Sequence, residues 1–295
     1  MAKKRYISNR ISLLLLSVMT LLMLLDIFTD FFLKNITNLQ KILIYGIIFI
    51  MPIWIYIKKC DYKRKSALKL NHVKIKYLPF IIFFALTVSI VCAMINMLTG
   101  AVFQGIFDIK ISTSTVPFSS ENPFVILLTA IILPAVCEEL LIRGIALTEY
   151  ERYGVPLSII LTSVIFALFH GSLFSLISLF IAGVCYAILT HLFKSVWPAI
   201  ICHMINNSLA VYINYNADYI RYLCDDFLFV MMIIAAIFVI IIVTLKLSEP
   251  IVDLFTDKKR FKTNTREMAY GEPLGSIFIW IFIAISIFNI VRNVL

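Results

Sequence analysis

Long apolar stretches alternate with short polar ones along almost the whole chain. Nine of them can be distinguished, at 11–33, 39–57, 77–98, 124–146, 157–170, 173–193, 196–213, 227–247 and 274–291. A helix needs about 20 apolar residues to cross the hydrocarbon core of a bilayer, and most of these stretches approach that length. Because lipid offers the backbone no hydrogen bonds and the apolar runs do not alternate with polar positions, helices are favoured over barrel strands. The pattern predicts an all-α, polytopic transmembrane helical bundle of eight or nine spans, and the short fifth stretch decides the count.

The composition supports this class and removes one alternative. Apolar residues make up 61% of the sequence and charged residues 15%, whereas soluble domains carry about 25% charged residues. The formal net charge of +9 could indicate nucleic-acid binding, but the basic residues concentrate beside the apolar stretches. They lie before the first stretch, between the second and third, and between the eighth and ninth. We therefore expect lipid around the protein and no nucleic-acid partner.

The same basic residues predict the orientation. By the positive-inside rule, the N-terminus with Lys3, Lys4 and Arg5 and the loops 58–76 and 258–266 are cytoplasmic. The richness in Ile, Phe and Lys is typical of AT-rich bacterial genomes. The sequence thus predicts an integral protein of the bacterial plasma membrane with a cytoplasmic N-terminus.

No internal repeat, low-complexity tract or soluble domain interrupts this organisation. We divide the chain into an N-terminal part, 1–123, with three spans and a basic loop, a core at 124–213, and a C-terminal part, 214–295, with the remaining spans and a second basic loop. The six cysteines are scattered without a CxxC pair, which indicates buried small hydrophobic side chains.

The fourth stretch contains three ionisable residues, Glu138, Glu139 and Arg143. A charged side chain at the centre of a membrane helix costs about 2.5 to 3.5 kcal/mol on insertion scales, so such residues are candidates for function. Glu139 and Arg143 are four residues apart with the acid first, which is the favourable order for a helical ion pair. Glu138 points about 100° away around the helix and has no partner nearby in sequence. Such a carboxylate suits a general base, although all three charges could instead cap the cytoplasmic end of the span.

Two later stretches each carry a polar residue pair at a spacing of four. The first is Phe166 with His170, and the second is His203 with Asn207. Residues four apart share a helix face, so His203 and Asn207 can point together into one cavity. One histidine in a bundle is usually a hydrogen-bonded interior residue, but two on separate spans beside a glutamate favour a site. His191, at a helix end, is expected to be solvated.

These residues resemble the motifs of the CPBP family of intramembrane proteases, which includes CAAX prenyl protease 2, bacteriocin-processing proteins and proteins like lysostaphin resistance protein A. That family is recognised by EExxxR, FxxxH and HxxxN or HxxxD motifs on successive membrane helices, and this chain has all three in order. The resemblance extends from residue 124 to about residue 209. It implies an intramembrane endopeptidase that hydrolyses a peptide bond in a membrane-associated peptide or protein.

The resemblance also implies a role for each motif. The first would supply the general base and an arginine that holds the neighbouring acid, the second a histidine that helps to activate water, and the third the donors that stabilise the oxyanion. The candidate catalytic residues are Glu138, Glu139, Arg143, His170, His203 and Asn207.

The cofactor is left open by the same resemblance. The family is often described as metalloproteases, and Glu138, His170 and His203 offer a nitrogen and oxygen set for Zn²⁺ with one position open for water. A metal-free glutamate mechanism fits the same residues, and the chain has no HExxH helix. Both mechanisms are compatible with the sequence.

The predicted spans place these residues at different depths. At 1.5 Å per residue, Glu138 and His203 lie roughly 11 Å from the cytoplasmic ends of their spans, whereas His170 lies roughly 20 Å deep. A recessed connection at 154–156, or a tilted fifth span that starts later, would bring the three groups into one cytoplasm-facing cavity.

Two other functions remain compatible with the sequence. A non-catalytic protein that confers bacteriocin self-immunity, or that acts as a scaffold for another membrane enzyme, could keep the polar cluster for binding. An ion-coupled transporter could use Glu138 and the histidines as a proton relay, but such proteins usually show two repeated halves, which this chain lacks.

Overall fold

The computed structural model describes residues 2–31, 38–60, 68–107, 122–216, 227–248 and 273–294. Within these ranges the chain is helical apart from short connections, and no strand occurs there. We number nine long helices: α1 (Ala2–Phe31), α2 (Asn38–Lys59), α3 (Leu78–Phe107), α4 (Pro123–Tyr153), α5 (Val155–Phe169), α6 (Leu176–Phe193), α7 (Trp197–Tyr215), α8 (Phe227–Ser248) and α9 (Ile277–Val294). The all-α prediction is confirmed.

Length and apolarity allow three helical segments of the described chain to cross a membrane outright: Ile75–Ile106, Pro123–Tyr153 and Leu176–Phe193. Four further helical segments are apolar but shorter, among them Val155–Phe169. These segments support an integral membrane protein, and the count of eight or nine spans stays a prediction. The second basic loop, 258–266, lies outside the described residues, as does 61–67 of the first.

Helix α4 is longer and less regular than its apolar stretch predicts. It begins where the Asn122 side chain accepts a hydrogen bond of 2.9 Å from the Phe124 amide, with a proline in the first turn. Two wider π-helical parts interrupt it, Leu127–Ile132 and Leu140–Ala146. Such wide turns are rare and frequently lie at functional sites, and here they flank the two adjacent glutamates.

Close helix packing in the core depends on a small residue. Helix α5 packs along α6, and a Cβ atom on Gly183 of α6 would lie 3.0 Å from the Ser163 Cα atom. Small residues let membrane helices approach closely, where dispersion contacts rather than the hydrophobic effect hold them together. Helix α5, which carries Phe166 of the second motif, is therefore held at a fixed separation from α6.

Charged and polar residues meet at one end of the bundle, which we call the basic end. The Lys69 ammonium donates to Glu151 over 2.7 Å, and the His191 ring nitrogen Nδ1 lies 2.9 Å from the same carboxylate oxygen. Burial lowers the pKa of Lys69, and the neighbouring Glu151 carboxylate opposes that shift. His191 is thus not solvated as expected, because its side chain is only 13% exposed and is paired with an acid.

The other end of the bundle, which we call the far end, carries the connection between α5 and α6. There the Thr99 hydroxyl of α3 donates to the Phe174 carbonyl oxygen over 2.8 Å. This bond ties the connection to the C-terminal part of α3.

Candidate active site

Glu139 forms the buried centre of the polar cluster. One of its carboxylate oxygens, Oε1, accepts a hydrogen bond of 2.9 Å from Arg143 and lies 2.9 Å from the His203 ring nitrogen Nδ1. Neither Glu139 nor Arg143 has any exposed side-chain surface. The ion pair predicted from the spacing of four is therefore present within α4. The contact between Glu139 and His203 links α4 to α7.

Arg143 is held on three further sides. Its guanidinium donates to the Gly183 carbonyl oxygen over 3.2 Å. It also lies over the Phe166 ring, 4.2 Å from the centroid, and 5.5 Å from the centroid of Tyr186. A guanidinium is attracted to aromatic faces, more strongly when both are desolvated. The first motif is thus fixed against the phenylalanine of the second, which explains why these residue types occur together.

Glu138 points away from this pair, as the helical geometry predicts, and has two neighbours from other helices. The Tyr45 hydroxyl of α2 donates to its Oε1 oxygen over 2.8 Å. Its other oxygen, Oε2, lies 3.5 Å from the His170 nitrogen Nε2 and accepts no hydrogen bond from a described residue. The Glu138 side chain is 14% exposed. One oxygen of Glu138 is therefore held in place and the other is available for chemistry.

The chemistry of the hydrogen bonds fixes the proton on both imidazoles. The His170 nitrogen Nδ1 lies 2.9 Å from the Phe166 carbonyl oxygen, which can only accept, so Nδ1 carries a proton. His203 contacts the Glu139 carboxylate through its own Nδ1 in the same way. In the neutral ring the other nitrogen, Nε2, is then the unprotonated one. The Nε2 nitrogen of His170 faces Glu138 Oε2 at 3.5 Å, so in the neutral ring the two atoms can share a water molecule or a cation.

The turn that carries His170 is locked by a distant helix. Gly171 has a φ of +59°, and a Cβ atom there would lie 2.3 Å from the Asn289 amide nitrogen. The Asn293 amide of α9 donates to the Gly171 carbonyl oxygen over 3.0 Å. Only glycine satisfies both the positive φ and the close contact. Helix α9 thus fixes the turn that places His170 opposite Glu138.

A cavity of about 530 Å³ lies beside these groups, and His170, His203 and Asn207 all line it. All six residues predicted from the motifs therefore lie in one polar region of the bundle. The predicted difference in depth between Glu138 and His170 disappears because α4 continues past Ala146 to Tyr153. Glu138 and His170 then both lie about 20 Å along their helices from the basic end.

The described lining of the cavity lies mostly between the candidate catalytic residues and the far end of the bundle. It includes Asn96 of α3, Ser172 and Ser175 of the α5–α6 connection, and Asn214 near the end of α7. The sequence predicts a cavity that faces the cytoplasm, and that orientation stays a prediction.

Three residues in contact with the cluster were missed from the sequence. Tyr45 lies in an apolar stretch with no polar neighbour that would mark it. Gly183 accepts a hydrogen bond through its carbonyl oxygen, and Asn293 donates to the carbonyl oxygen of Gly171. Neither contact produces a spacing pattern that could be recognised in the sequence. The only available hint was that intramembrane polar side chains usually have a partner.

The group Glu138, His170 and His203 could hold a metal ion. One donor atom from each residue lies within 4.8 Å of the other two. Two ligands of a tetrahedral zinc ion lie about 3.3 Å apart, close to the 3.5 Å between Glu138 Oε2 and His170 Nε2. Both imidazoles also have an acceptor on Nδ1, which is the usual arrangement around a metal-binding histidine. The donor set fits zinc.

Tyr45 provides a test of how Glu138 is held. We expect Tyr45→Phe to lower kcat/KM about three- to tenfold, because Glu138 loses the hydrogen bond that holds one of its carboxylate oxygens. The rate is measured on purified protein. Tyr56→Phe, at a buried position on the same helix, is the control, and an unchanged kcat/KM in Tyr45→Phe would refute this role.

Comparison with known proteins agrees with the motifs. Residues 120–209 match the family model described as type II CAAX prenyl endopeptidase Rce1-like. No curated protein and no solved structure matches the chain significantly. The matched segment is less than a third of the chain and contains all three motifs. The resemblance is thus confirmed for this segment, and it supports a CAAX-type intramembrane protease as the class of protein.

Proposed function

We propose that the protein is an intramembrane endopeptidase that hydrolyses a peptide bond in a membrane-associated peptide or protein. The observation that carries this proposal is the pair Glu138 Oε2 and His170 Nε2, which lie 3.5 Å apart, with no hydrogen bond to Oε2 from a described residue. A water molecule beside both atoms can hydrogen-bond to each of them, and water is the nucleophile of a hydrolase. The adjoining cavity offers space for the peptide bond.

Glu138 is the general base in this mechanism. It takes a proton from the water onto Oε2 while the water oxygen attacks the carbonyl carbon, and the Nε2 nitrogen of His170 orients the water. The same proton then passes to the leaving nitrogen as the carbon–nitrogen bond breaks, giving a carboxylic acid and an amine, and the acid afterwards loses its proton to solvent. Proton transfer by a positioned group contributes about 10²- to 10⁴-fold to the rate.

His203 and Asn207 are the donors to the oxyanion. The Asn207 amide can donate directly, and His203 donates in the form in which Nε2 carries a proton. The Glu139 carboxylate lies 2.9 Å from the other ring nitrogen of His203 and holds the imidazole in place. One donor to an oxyanion is worth about 3 to 4 kcal/mol. Glu139 and Arg143 are positioning residues, since they act through His203.

A metal-dependent form of the proposal uses the same side chains differently. Glu138, His170 and His203 would hold Zn²⁺, and both imidazoles would then be neutral. Bound zinc would supply Lewis-acid polarisation and an acidified water. Elemental analysis of the purified protein separates the two forms. One zinc per chain supports the metal-dependent form, and a protein without zinc supports the metal-free form.

Peptide termini in cells test the proposed function. Cells that produce the protein are compared with cells that produce Glu138→Gln at the same level, and new peptide termini are quantified by mass spectrometry. We expect a set of termini that occurs only with the unaltered protein. Identical termini in both cultures, together with an unchanged immunity or binding phenotype, would favour a non-catalytic membrane protein instead.

A further inference from the structure

The cavity continues from the catalytic groups along a second polar wall that no motif includes. This wall consists of uncharged amide and hydroxyl side chains on α3, the α5–α6 connection, α6 and α7, namely Asn96, Ser172, Ser175, Ser178, Asn206 and Asn214. None of the described residues that line the cavity is Asp, Glu, Lys or Arg. A wall of this kind offers hydrogen bonds but no counter-charge.

Asn96 is the best fixed of these side chains. Its Oδ1 oxygen lies 2.5 Å from the Ser178 hydroxyl, which also lies 2.9 Å from the Ser175 carbonyl oxygen. Ser178 itself is only 1% exposed. A hydroxyl has one proton, so either Ser178 donates to Asn96 or the carboxamide is turned and its nitrogen donates to Ser178. In both cases one polar atom of Asn96 is held by Ser178, and the residue lines the cavity.

We propose that Asn96, held by Ser178, is a subsite that binds the backbone of the substrate peptide in an uncharged segment; this rests on the proposed function. A peptide that enters the bundle loses water from its amide and carbonyl groups, and an unpaired polar group in such a place is costly. A carboxamide matches a peptide group with one donor and one acceptor. Asn96 shares the cavity with His170, His203 and Asn207, so a chain bound there reaches the catalytic groups.

The neutral wall also determines which side chains are accepted. A charged residue of the substrate beside Asn96 would be desolvated without a partner, which disfavours binding strongly. Neutral residues, polar or apolar, meet no such cost. The subsite therefore selects an uncharged segment next to the bond that is cut. Asn96 lies outside the segment that matches the protease family, whereas Ser178 lies within it.

Binding can be measured without turnover, which separates this subsite from the proposed function. The full chain with Glu138→Gln is titrated with a fluorescein-labelled set of ten-residue peptides of Ala, Ser, Leu and Val, and anisotropy is recorded. We expect Asn96→Leu in that background to weaken binding about tenfold, the worth of one good hydrogen bond. The same peptides with a central lysine should bind at least tenfold more weakly than the parent set.

A double-variant comparison distinguishes a specific role of Ser178 from a structural one. Ser178→Ala alone should weaken binding several-fold, and it should have no further effect once Asn96 is leucine. Asn216→Leu is the matched control, because Asn216 directly follows the last residue of α7 and is not among the residues that line the cavity. Equal peptide affinity of the Glu138→Gln protein with and without Asn96→Leu would overturn the subsite. Absence of peptide binding by the Glu138→Gln protein itself would overturn it as well. Cleavage of the same peptides by the unaltered protein is scored separately and reports on the proposed function.

Discussion

Glu138→Gln is expected to slow peptide-bond hydrolysis by about 10²- to 10⁴-fold, because an amide cannot accept the water proton. The fold should be unaffected, since the glutamine oxygen can still accept the hydrogen bond that Tyr45 donates. The measurement is kcat/KM of the purified protein on a peptide identified from the cellular comparison, together with the midpoint of thermal unfolding.

Glu151→Gln is the matched control for this substitution. Glu151 lies on the same helix at the basic end, where it is paired with Lys69 and His191. Its replacement should leave hydrolysis within about twofold, as it does not contact the reacting groups. Full activity of Glu138→Gln would remove this carboxylate from the mechanism and with it the proposed enzyme.

Arg143→Met is expected to destabilise the protein by about 3 to 5 kcal/mol, since it leaves the Glu139 carboxylate in the core without its cation. Both side chains are fully buried, so no water can replace the lost partner. The guanidinium contacts with Gly183 and Phe166 are lost as well. Unfolding of the detergent-solubilised protein, followed by tryptophan fluorescence, gives the change in stability.

Two further variants show whether the charge is the cause. Glu139→Gln together with Arg143→Met should be more stable than the sum of the single changes predicts, because no uncompensated charge is left. Arg292→Met, at an exposed position near the end of α9, should change the stability by at most about 0.5 kcal/mol. Strict additivity of the Glu139 and Arg143 substitutions would show that packing, rather than charge, sets the cost.

The sequence predicted the helices well because membrane helices are marked by length and apolarity, which need no tertiary information. It failed at the end of α4, where the apolar stretch stops at Ala146 but the helix continues to Tyr153. The added turns carry Glu149 and Glu151, and these acids are satisfied by Arg152, Lys69 and His191. Hydropathy alone cannot register a polar helical extension that is held by ion pairs to other segments.

The candidate site shows the same division. Spacing of four predicted the ion pair of Glu139 and Arg143, and motif order predicted which histidines would join it. The contacts of Tyr45 with Glu138 and of Ser178 with Asn96 could not be predicted, because the partners are 93 and 82 residues apart in sequence. The position of the cavity could not be predicted either, since it depends on how far each helix extends past its apolar part.

The clasp between Asn293 and the Gly171 carbonyl also constrains the order of events during biosynthesis. The two residues are 122 positions apart, so the ribosome must translate four later helices before the His170 turn can be secured. A nascent chain that ends before α9 contains all three motifs but lacks this hydrogen bond. On the proposed function, full hydrolytic activity is therefore expected only after α9 has been inserted.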